Sequence, residues 1–70
     1  MANIFLKPIP INRADEIILT SLPGIGPSLA ERIVMRRNQQ GPFRSKEELL
    51  QVRGIGPKKF AALVEHITID

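Results

Sequence analysis

The chain has 70 residues, no cysteine and a formal net charge of +3. A chain of this length forms one domain that buries only about 60% of its unfolded surface, and without cysteine it has neither disulfides nor thiolate-bound zinc. Three phenylalanines, with no tyrosine and no tryptophan, leave little aromatic surface for stacking on unpaired bases, which argues against a single-strand binder. No apolar run is long enough to span a membrane.

The first eleven residues are predicted to be an N-terminal arm, followed by a domain over residues 12–70. The arm has a short apolar stretch at residues 4–6, but Pro8 and Pro10 interrupt it. It therefore lacks the continuous apolar segment of a signal peptide.

A six-residue segment occurs twice within the domain, thirty residues apart. Residues 22–27 are LPGIGP and residues 52–57 are VRGIGP. Flanking apolar positions keep the same register, since Leu19 matches Leu49 and residues 33–34 match residues 63–64. The domain is therefore predicted to be a duplication, with repeat one over about residues 14–40 and repeat two over about residues 45–68.

The first helix of each repeat has a candidate side-chain cap. Asp15 (or alternatively Asn12) precedes a helix that should run to about Ser21. In repeat two, residues 45–48 read Ser-Lys-Glu-Glu, which predicts a capping box with Ser45 at the N-cap. The helix that it opens should end near Gln51.

The second helix of each repeat is predicted to begin at a proline, Pro27 or Pro57, because proline is favoured in the first helical position. Residues 41–42, Gly-Pro, should end the first of these helices. The other carries apolar residues at helical spacing through Ile67. No segment shows sustained strand alternation, so the sequence predicts an all-α fold with four main helices.

The glycine turns between the helices suggest a function. Glycine permits the positive φ of a sharp reversal, and the isoleucine between the glycines should point into the core. Gly26 and Gly56 fall at the N-caps of the following helices, where they offer no side-chain acceptor. The free backbone N–H groups of a helix start need partners, and a phosphate is a suitable one.

The basic residues near these turns favour the same ligand. Lys58 and Lys59 lie in a first helical turn, where cations oppose the helix dipole. Arg32 and Arg36 form a like-charge pair four residues apart. Bound phosphates would offset both unfavourable effects, the opposition of the lysines to the helix dipole and the repulsion between the arginines. Two such sites suit the two backbones that flank the minor groove of a duplex, and phosphate contacts carry no base information.

Several segments together resemble a known family: Asn12-Arg13-Ala14, LPGIGP at 22–27, Gly-Pro-Phe at 41–43, SKEEL at 45–49 and VRGIGPKK at 52–59. Over about residues 11–69 the chain resembles the tandem helix–hairpin–helix domain of ComEA-type competence proteins. The resemblance implies two helix–hairpin–helix repeats about a pseudo-twofold axis. It also implies sequence-independent binding of double-stranded DNA and a monovalent cation held by hairpin carbonyls.

The glycine turns, the basic residues near them and the resemblance together predict the DNA-binding residues. They are Gly24, Ile25, Gly26, Ser28, Arg32, Arg36, Arg53, Gly54, Ile55, Gly56, Lys58 and Lys59. The resemblance places Lys58 and Lys59 beside the second hairpin, which should hold DNA more strongly than the first. No small-molecule substrate, metal or catalytic residue is predicted, and the chain is expected to act as a non-catalytic monomer.

The sequence leaves three further questions open: the function, the biological process and the location. The main alternative function is a protein-interaction scaffold, because some tandem hairpin domains do not bind DNA. The process could be DNA uptake in competence, DNA repair or recombination. ComEA-type receptors carry a membrane anchor and linker that this sequence does not show. A cytoplasmic location is expected if the chain is complete, and an extracytoplasmic one if it is a fragment of an anchored receptor.

Overall fold

Helical segments make up most of the computed structural model, which describes residues 8–69. The elements in chain order are β1 (Ile9–Pro10), α1 (Glu16–Leu19), α2 (Pro27–Gln40), a first 3₁₀ helix (Lys46–Gln51), α3 (Pro57–Leu63), a second 3₁₀ helix (Val64–His66) and β2 (Ile67–Thr68). The predicted all-α class with four main helical segments is confirmed. Most of the predicted arm, residues 1–7, lies outside the described residues.

Local sequence signals set most of the helix ends. The Asp15 Oδ1 atom accepts a hydrogen bond from the Ile18 amide at 2.9 Å, so Asp15 caps α1 as predicted. Both α2 and α3 begin at their predicted proline. Gly41, with a φ of 89°, ends α2, because only glycine adopts this backbone conformation readily.

The third helical segment differs from its prediction. It is a 3₁₀ helix of six residues, and Ser45 makes no side-chain capping hydrogen bond. Instead, the Glu48 Oε1 atom accepts from the Arg44 amide at 3.1 Å, one residue before the predicted N-cap. The predicted capping box is therefore wrong. So short a segment gains little from α-helical propagation, and 3₁₀ geometry is common in short pieces. The helix α1 is also shorter than predicted, ending at Leu19.

The end of the domain forms a strand where a helix was predicted. Ile67 belongs to β2, which pairs in parallel with β1 in the register Ile9 to Ile67. The Ile11 amide adds a hydrogen bond to the Thr68 carbonyl at 3.1 Å. The β-branched run Ile-Thr-Ile favours extended backbone, and pairing buries both Ile11 and Ile67 almost completely. Residues 9–11 of the predicted arm thus pack on the domain.

The two repeats contribute equivalent side chains to one core. Four apolar pairs related by thirty residues are buried in both repeats: Leu19 and Leu49, Leu22 and Val52, Ile25 and Ile55, and Ile33 and Leu63. The other buried apolar residues are Ile11, Ala14, Leu29, Ala30, Phe43 and Ile67. The duplication seen in the sequence is therefore also a duplication of packing.

A side-chain amide joins the start of the domain to the connection between the repeats. The Asn12 Nδ2 atom donates to the Phe43 carbonyl at 2.9 Å, and the Phe43 amide donates to the Asn12 Oδ1 atom at 2.7 Å. Asn12 thus satisfies both backbone groups of a residue that is 1% exposed. Its predicted alternative role as a helix cap is filled by Asp15.

Replacing Asn12 with alanine is expected to lower the free energy of unfolding by about 1–3 kcal/mol, because both backbone groups of Phe43 lose their partner. Asn12→Asp keeps the acceptor and loses the donor, so it should have an intermediate effect. Urea denaturation followed by circular dichroism measures both. Equal stability of Asn12→Ala and the unmodified protein would contradict this role.

Candidate nucleic-acid interface

The two hairpins have the same backbone geometry. The Ile25 amide donates to the Leu22 carbonyl at 3.1 Å, and the Ile55 amide donates to the Val52 carbonyl at 3.0 Å. The third residue of each turn, Gly24 or Gly54, has a positive φ of 78° or 102°. A four-residue turn with this hydrogen bond and a glycine at positive φ in third position has the features of type II. The predicted sharp reversals are confirmed.

The isoleucines of the hairpins face the core. Ile25 and Ile55 are each 4% exposed, as predicted from their position between two glycines. Their side chains anchor the turn, so any contribution of these residues to ligand binding comes from backbone atoms.

The helices that follow the hairpins begin without a side-chain cap. Gly26 and Gly56 are the N-caps of α2 and α3, and neither helix start has a side-chain hydrogen bond. The first intrahelical bonds are made by the Ala30 and Phe60 amides, each at 2.9 Å from the N-cap carbonyl. Among the described residues, the amides just before them at residues 28–29 and 58–59 have no acceptor. The helix that follows each hairpin therefore begins with backbone N–H groups that have no hydrogen-bond acceptor in the described part of the domain.

Neither the backbone conformation nor the packing of the domain requires glycine at positions 26 and 56. Their φ angles of −94° and −97° suit any residue. A methyl group added at either position would meet nothing within 4 Å. In contrast, Gly24 and Gly54 need glycine for their backbone conformation. The space at both N-caps is open on the side from which a ligand could approach the backbone.

Basic side chains from both repeats surround the second hairpin. The Arg32 Nη1 atom donates to the Arg53 carbonyl at 3.0 Å. The same atom would be 3.0 Å from a methyl group at Gly54. Arg53 and Lys58 are exposed, and neither side chain has a hydrogen bond or ion pair within residues 8–69. The structure thus brings Arg32 to Arg53 and Gly54 of the second hairpin.

Lys59 reaches the first hairpin as well. Its side-chain Cγ, Cδ and Cε atoms would be 3.1, 3.4 and 3.6 Å from a methyl group at Gly24. The aliphatic part of Lys59 therefore covers Gly24, although its backbone belongs to the helix start after the second hairpin. The resemblance places Lys59 beside the second hairpin; its backbone lies there, and its side chain extends over Gly24 of the first hairpin.

Arg36 lies apart from the hairpin residues. Its Nη2 atom donates to Gln51 Oε1 at 2.6 Å and lies 3.7 Å from Glu48 Oε1. Its guanidinium stacks on Phe43, 4.8 Å from the ring centroid. The side chain is 13% exposed. These internal partners account for its position four residues after Arg32 without a bound anion, and we leave Arg36 out of the interface.

The described range shows no other candidate centre. No group of three His, Cys, Asp or Glu side chains in residues 8–69 could hold a metal ion. None of the helices in that range is both long and apolar enough to cross a membrane. The single histidine, His66, is half exposed and lies 3.8 Å from Glu65.

Two helical units that share a core, each turning through a glycine hairpin, define a tandem helix–hairpin–helix domain. Residues 6–68 match the family described as helix-hairpin-helix motif, and the chain belongs to that family. It is 38% identical over 61 residues to ComE operon protein 1 of Bacillus subtilis (strain 168). The aligned region covers 87% of this chain and 30% of that protein. The resemblance to ComEA-type domains is confirmed.

Other similar proteins are much longer. The chain is 34% identical over 62 residues to S1 RNA-binding domain-containing protein 1 of Homo sapiens, covering 89% of this chain and 6% of that protein. It is 37% identical over 60 residues to endonuclease/exonuclease/phosphatase family domain-containing protein 1 of Danio rerio, covering 86% of this chain and 11% of that protein. The chain thus spans less than a third of the length of these relatives.

Proposed function

We propose that this domain is a non-catalytic module that binds double-stranded DNA independently of its sequence. Backbone amides of the two hairpins hold phosphates on either side of the minor groove. The observation that carries the proposal is the pair of N-cap glycines, Gly26 and Gly56, which neither backbone conformation nor packing requires. Because the fold does not require glycine at these positions, the missing side chain leaves room for a ligand to approach the backbone closely.

The chemistry around these glycines favours phosphate. The unbonded amides at residues 28–29 and 58–59 point to an anionic ligand, and Arg32, Lys58 and Lys59 add positive charge. Two equivalent hairpins suit two antiparallel backbones better than a single nucleotide. The side chains at the hairpins include no Asn or Gln in a position to read bases, so the contacts position the protein on DNA without selecting a sequence.

Family membership supports binding of nucleic acid in general, and the similarity to ComE operon protein 1 supports a role in DNA uptake. DNA repair is the other process in the proposal. In either process the domain acts as a monomer whose partner is a DNA duplex.

The proposal includes a monovalent cation at the first hairpin only. The Pro23 carbonyl accepts no hydrogen bond from any described residue, so it has a lone pair for a cation. At the equivalent position in the second hairpin, the Arg53 carbonyl already accepts from Arg32 at 3.0 Å. The guanidinium supplies positive charge there without an added ion.

One observation favours the scaffold alternative. Adjacent isoleucines on α1, Ile17 and Ile18, are 81% and 47% exposed. An exposed apolar pair at the surface of a small domain is a candidate protein contact. Both isoleucines belong to α1 and neither to a hairpin turn, so the two functions do not exclude one another.

The direct test is a fluorescence-polarisation titration of two unrelated labelled duplexes and one single strand at several salt concentrations. We expect equal affinity for both duplexes, roughly 10⁻⁴–10⁻⁶ M at physiological salt, with a steep salt dependence and weaker binding of the single strand. Gly26→Ala combined with Gly56→Ala should weaken duplex binding by about tenfold or more, because the methyl groups block phosphate approach.

The matched control is Asn38→Gln, which adds one methylene to the same helix α2, about 15 Å from its start. It should bind as the unmodified protein does. Circular dichroism checks that every variant is folded. A folded protein that binds no DNA at low salt would refute the proposal and leave the scaffold function as the leading one.

A further inference from the structure

Each hairpin packs against a helix of the other repeat. Gly24 in the first hairpin is covered by Lys59 of α3, and Gly54 in the second is covered by Leu29 and Arg32 of α2. Leu29 and Lys59 are equivalent positions, thirty residues apart. The same contact is therefore made twice, once by an apolar side chain and once by a lysine.

The first hairpin has no basic residue of its own. Its turn carries Pro23 where the second turn carries Arg53, and its helix starts with Ser28-Leu29 where the other starts with Lys58-Lys59. Within the described residues, the three atoms nearest to a methyl group at Gly24 all belong to Lys59. Its Cε atom lies 3.6 Å from the methyl position at Gly24, and the ammonium is one bond further along.

The second hairpin also receives a cation from outside its repeat. Arg32 belongs to α2, yet it holds the Arg53 carbonyl at 3.0 Å. The equivalent residue of α3 is Ala62, which cannot make the reciprocal bond. Arg32 has five N–H donors, and its one hydrogen bond within residues 8–69 is to Arg53, so the remaining donors are available to an anion.

We infer that the hairpins exchange their cations: Lys59 of the second repeat supplies the positive charge for a phosphate at the first hairpin, and Arg32 of the first repeat supplies charge at the second. This inference rests on the proposed DNA binding. Neither phosphate site is complete within one repeat, and the basic side chain nearest to Gly24 of the first hairpin comes from the other repeat. Lys59 is a positioning and charge-supplying residue for a hairpin thirty-five residues earlier in the chain.

A double-mutant cycle tests this assignment. Lys59→Gln retains the Cβ and Cγ methylenes, of which Cγ is the atom nearest to the methyl position at Gly24, and removes the charge. We expect it to weaken duplex binding by about threefold to tenfold and to lower the salt slope by about one. In the Gly26→Ala background, where the first hairpin is blocked, the loss caused by Lys59→Gln should largely disappear. In the Gly56→Ala background it should remain complete.

The neighbouring variant Lys58→Gln is the matched control, because it makes the same chemical change one residue away. Its effect should disappear with Gly56→Ala and persist with Gly26→Ala, as should the effect of Arg32→Gln. Lys59→Arg should restore binding. Thermal melting of each variant separates loss of charge from loss of packing, since Lys59→Gln is expected to melt within a few degrees of the unmodified protein.

The outcomes are distinct from those that test DNA binding itself. Coupling of Lys59 with Gly26, and not with Gly56, supports the exchange of cations. Coupling of Lys59 with Gly56, or equal effects in both backgrounds, overturns it while duplex binding by the unmodified protein keeps the proposed function intact. Absence of duplex binding by the unmodified protein at low salt refutes the proposed function, and this inference with it.

Discussion

Replacing both Gly26 and Gly56 with aspartate is expected to make the domain more stable and unable to bind DNA. An aspartate at each N-cap accepts the free amides of its own helix and complements the helix dipole, a gain of about 0.5–1 kcal/mol for each site. The open space around both positions accommodates the side chain. The same carboxylates occupy the amides and repel phosphate. Loss of charge-assisted hydrogen bonds at two sites should lower affinity by more than about a hundredfold.

Thermal melting should show the added stability as a rise in Tm of about 4–8 °C for each kcal/mol. Polarisation titration should show the loss of DNA binding. Asn38→Asp is the control for charge, because it lowers the net charge by the same amount as one Gly→Asp change, at a site far along α2. It should weaken binding only slightly. Retention of DNA affinity by the double aspartate variant would show that the hairpin amides do not hold phosphate.

Replacing Phe43 with alanine is expected to have the largest effect on stability. Phe43 is 1% exposed, its backbone is bonded twice by Asn12, and its ring carries the guanidinium of Arg36. Truncation of a buried phenylalanine costs about 3–5 kcal/mol. A domain of 70 residues has a total stability of about 3.5–10 kcal/mol, so a large fraction of the variant should be unfolded at 37 °C.

Phe60→Ala is the matched control for this change. Phe60 is only partly buried against the same core, so its truncation should cost less than half as much. Urea denaturation measured by circular dichroism compares the two variants. Similar unfolding free energies for Phe43→Ala and Phe60→Ala would contradict the central place assigned to Phe43 in the core.

Features governed by neighbouring residues were predictable from the sequence. Asp15 caps α1, and α2 begins at Pro27 and ends before Gly41. Each depends on a few consecutive residues, where backbone preferences and capping dominate. The positive φ at Gly24 and Gly54 follows equally from the requirements of a four-residue turn.

Features that depend on distant partners were not predictable in this way. Ile67 fitted the helical periodicity of α3, yet it pairs with β1 at the far end of the chain. Sequence spacing places Lys59 at the second hairpin, whereas its aliphatic chain lies on Gly24. In both cases the competing contact comes from another element, and spacing along the chain carries no information on it.

Arg36 shows the same difficulty at the candidate interface. Its position four residues after Arg32 on α2 predicts an unfavourable like-charge pair that a bound anion would relieve. In the folded domain each arginine has its own acceptor, Gln51 for one and the Arg53 carbonyl for the other. Repulsion between the two arginines is therefore a weaker indication of a bound anion than the helix starts without side-chain caps, which both repeats have.

The parallel pairing of β1 with β2 has a mechanical consequence. The two strands lie at opposite ends of the described chain and run in the same direction, in the register Ile9 to Ile67. A pull on the polypeptide at both ends of the domain would therefore slide one strand along the other, so their hydrogen bonds would be loaded together rather than one after another. A domain pulled in this way would meet this resistance before its core is exposed.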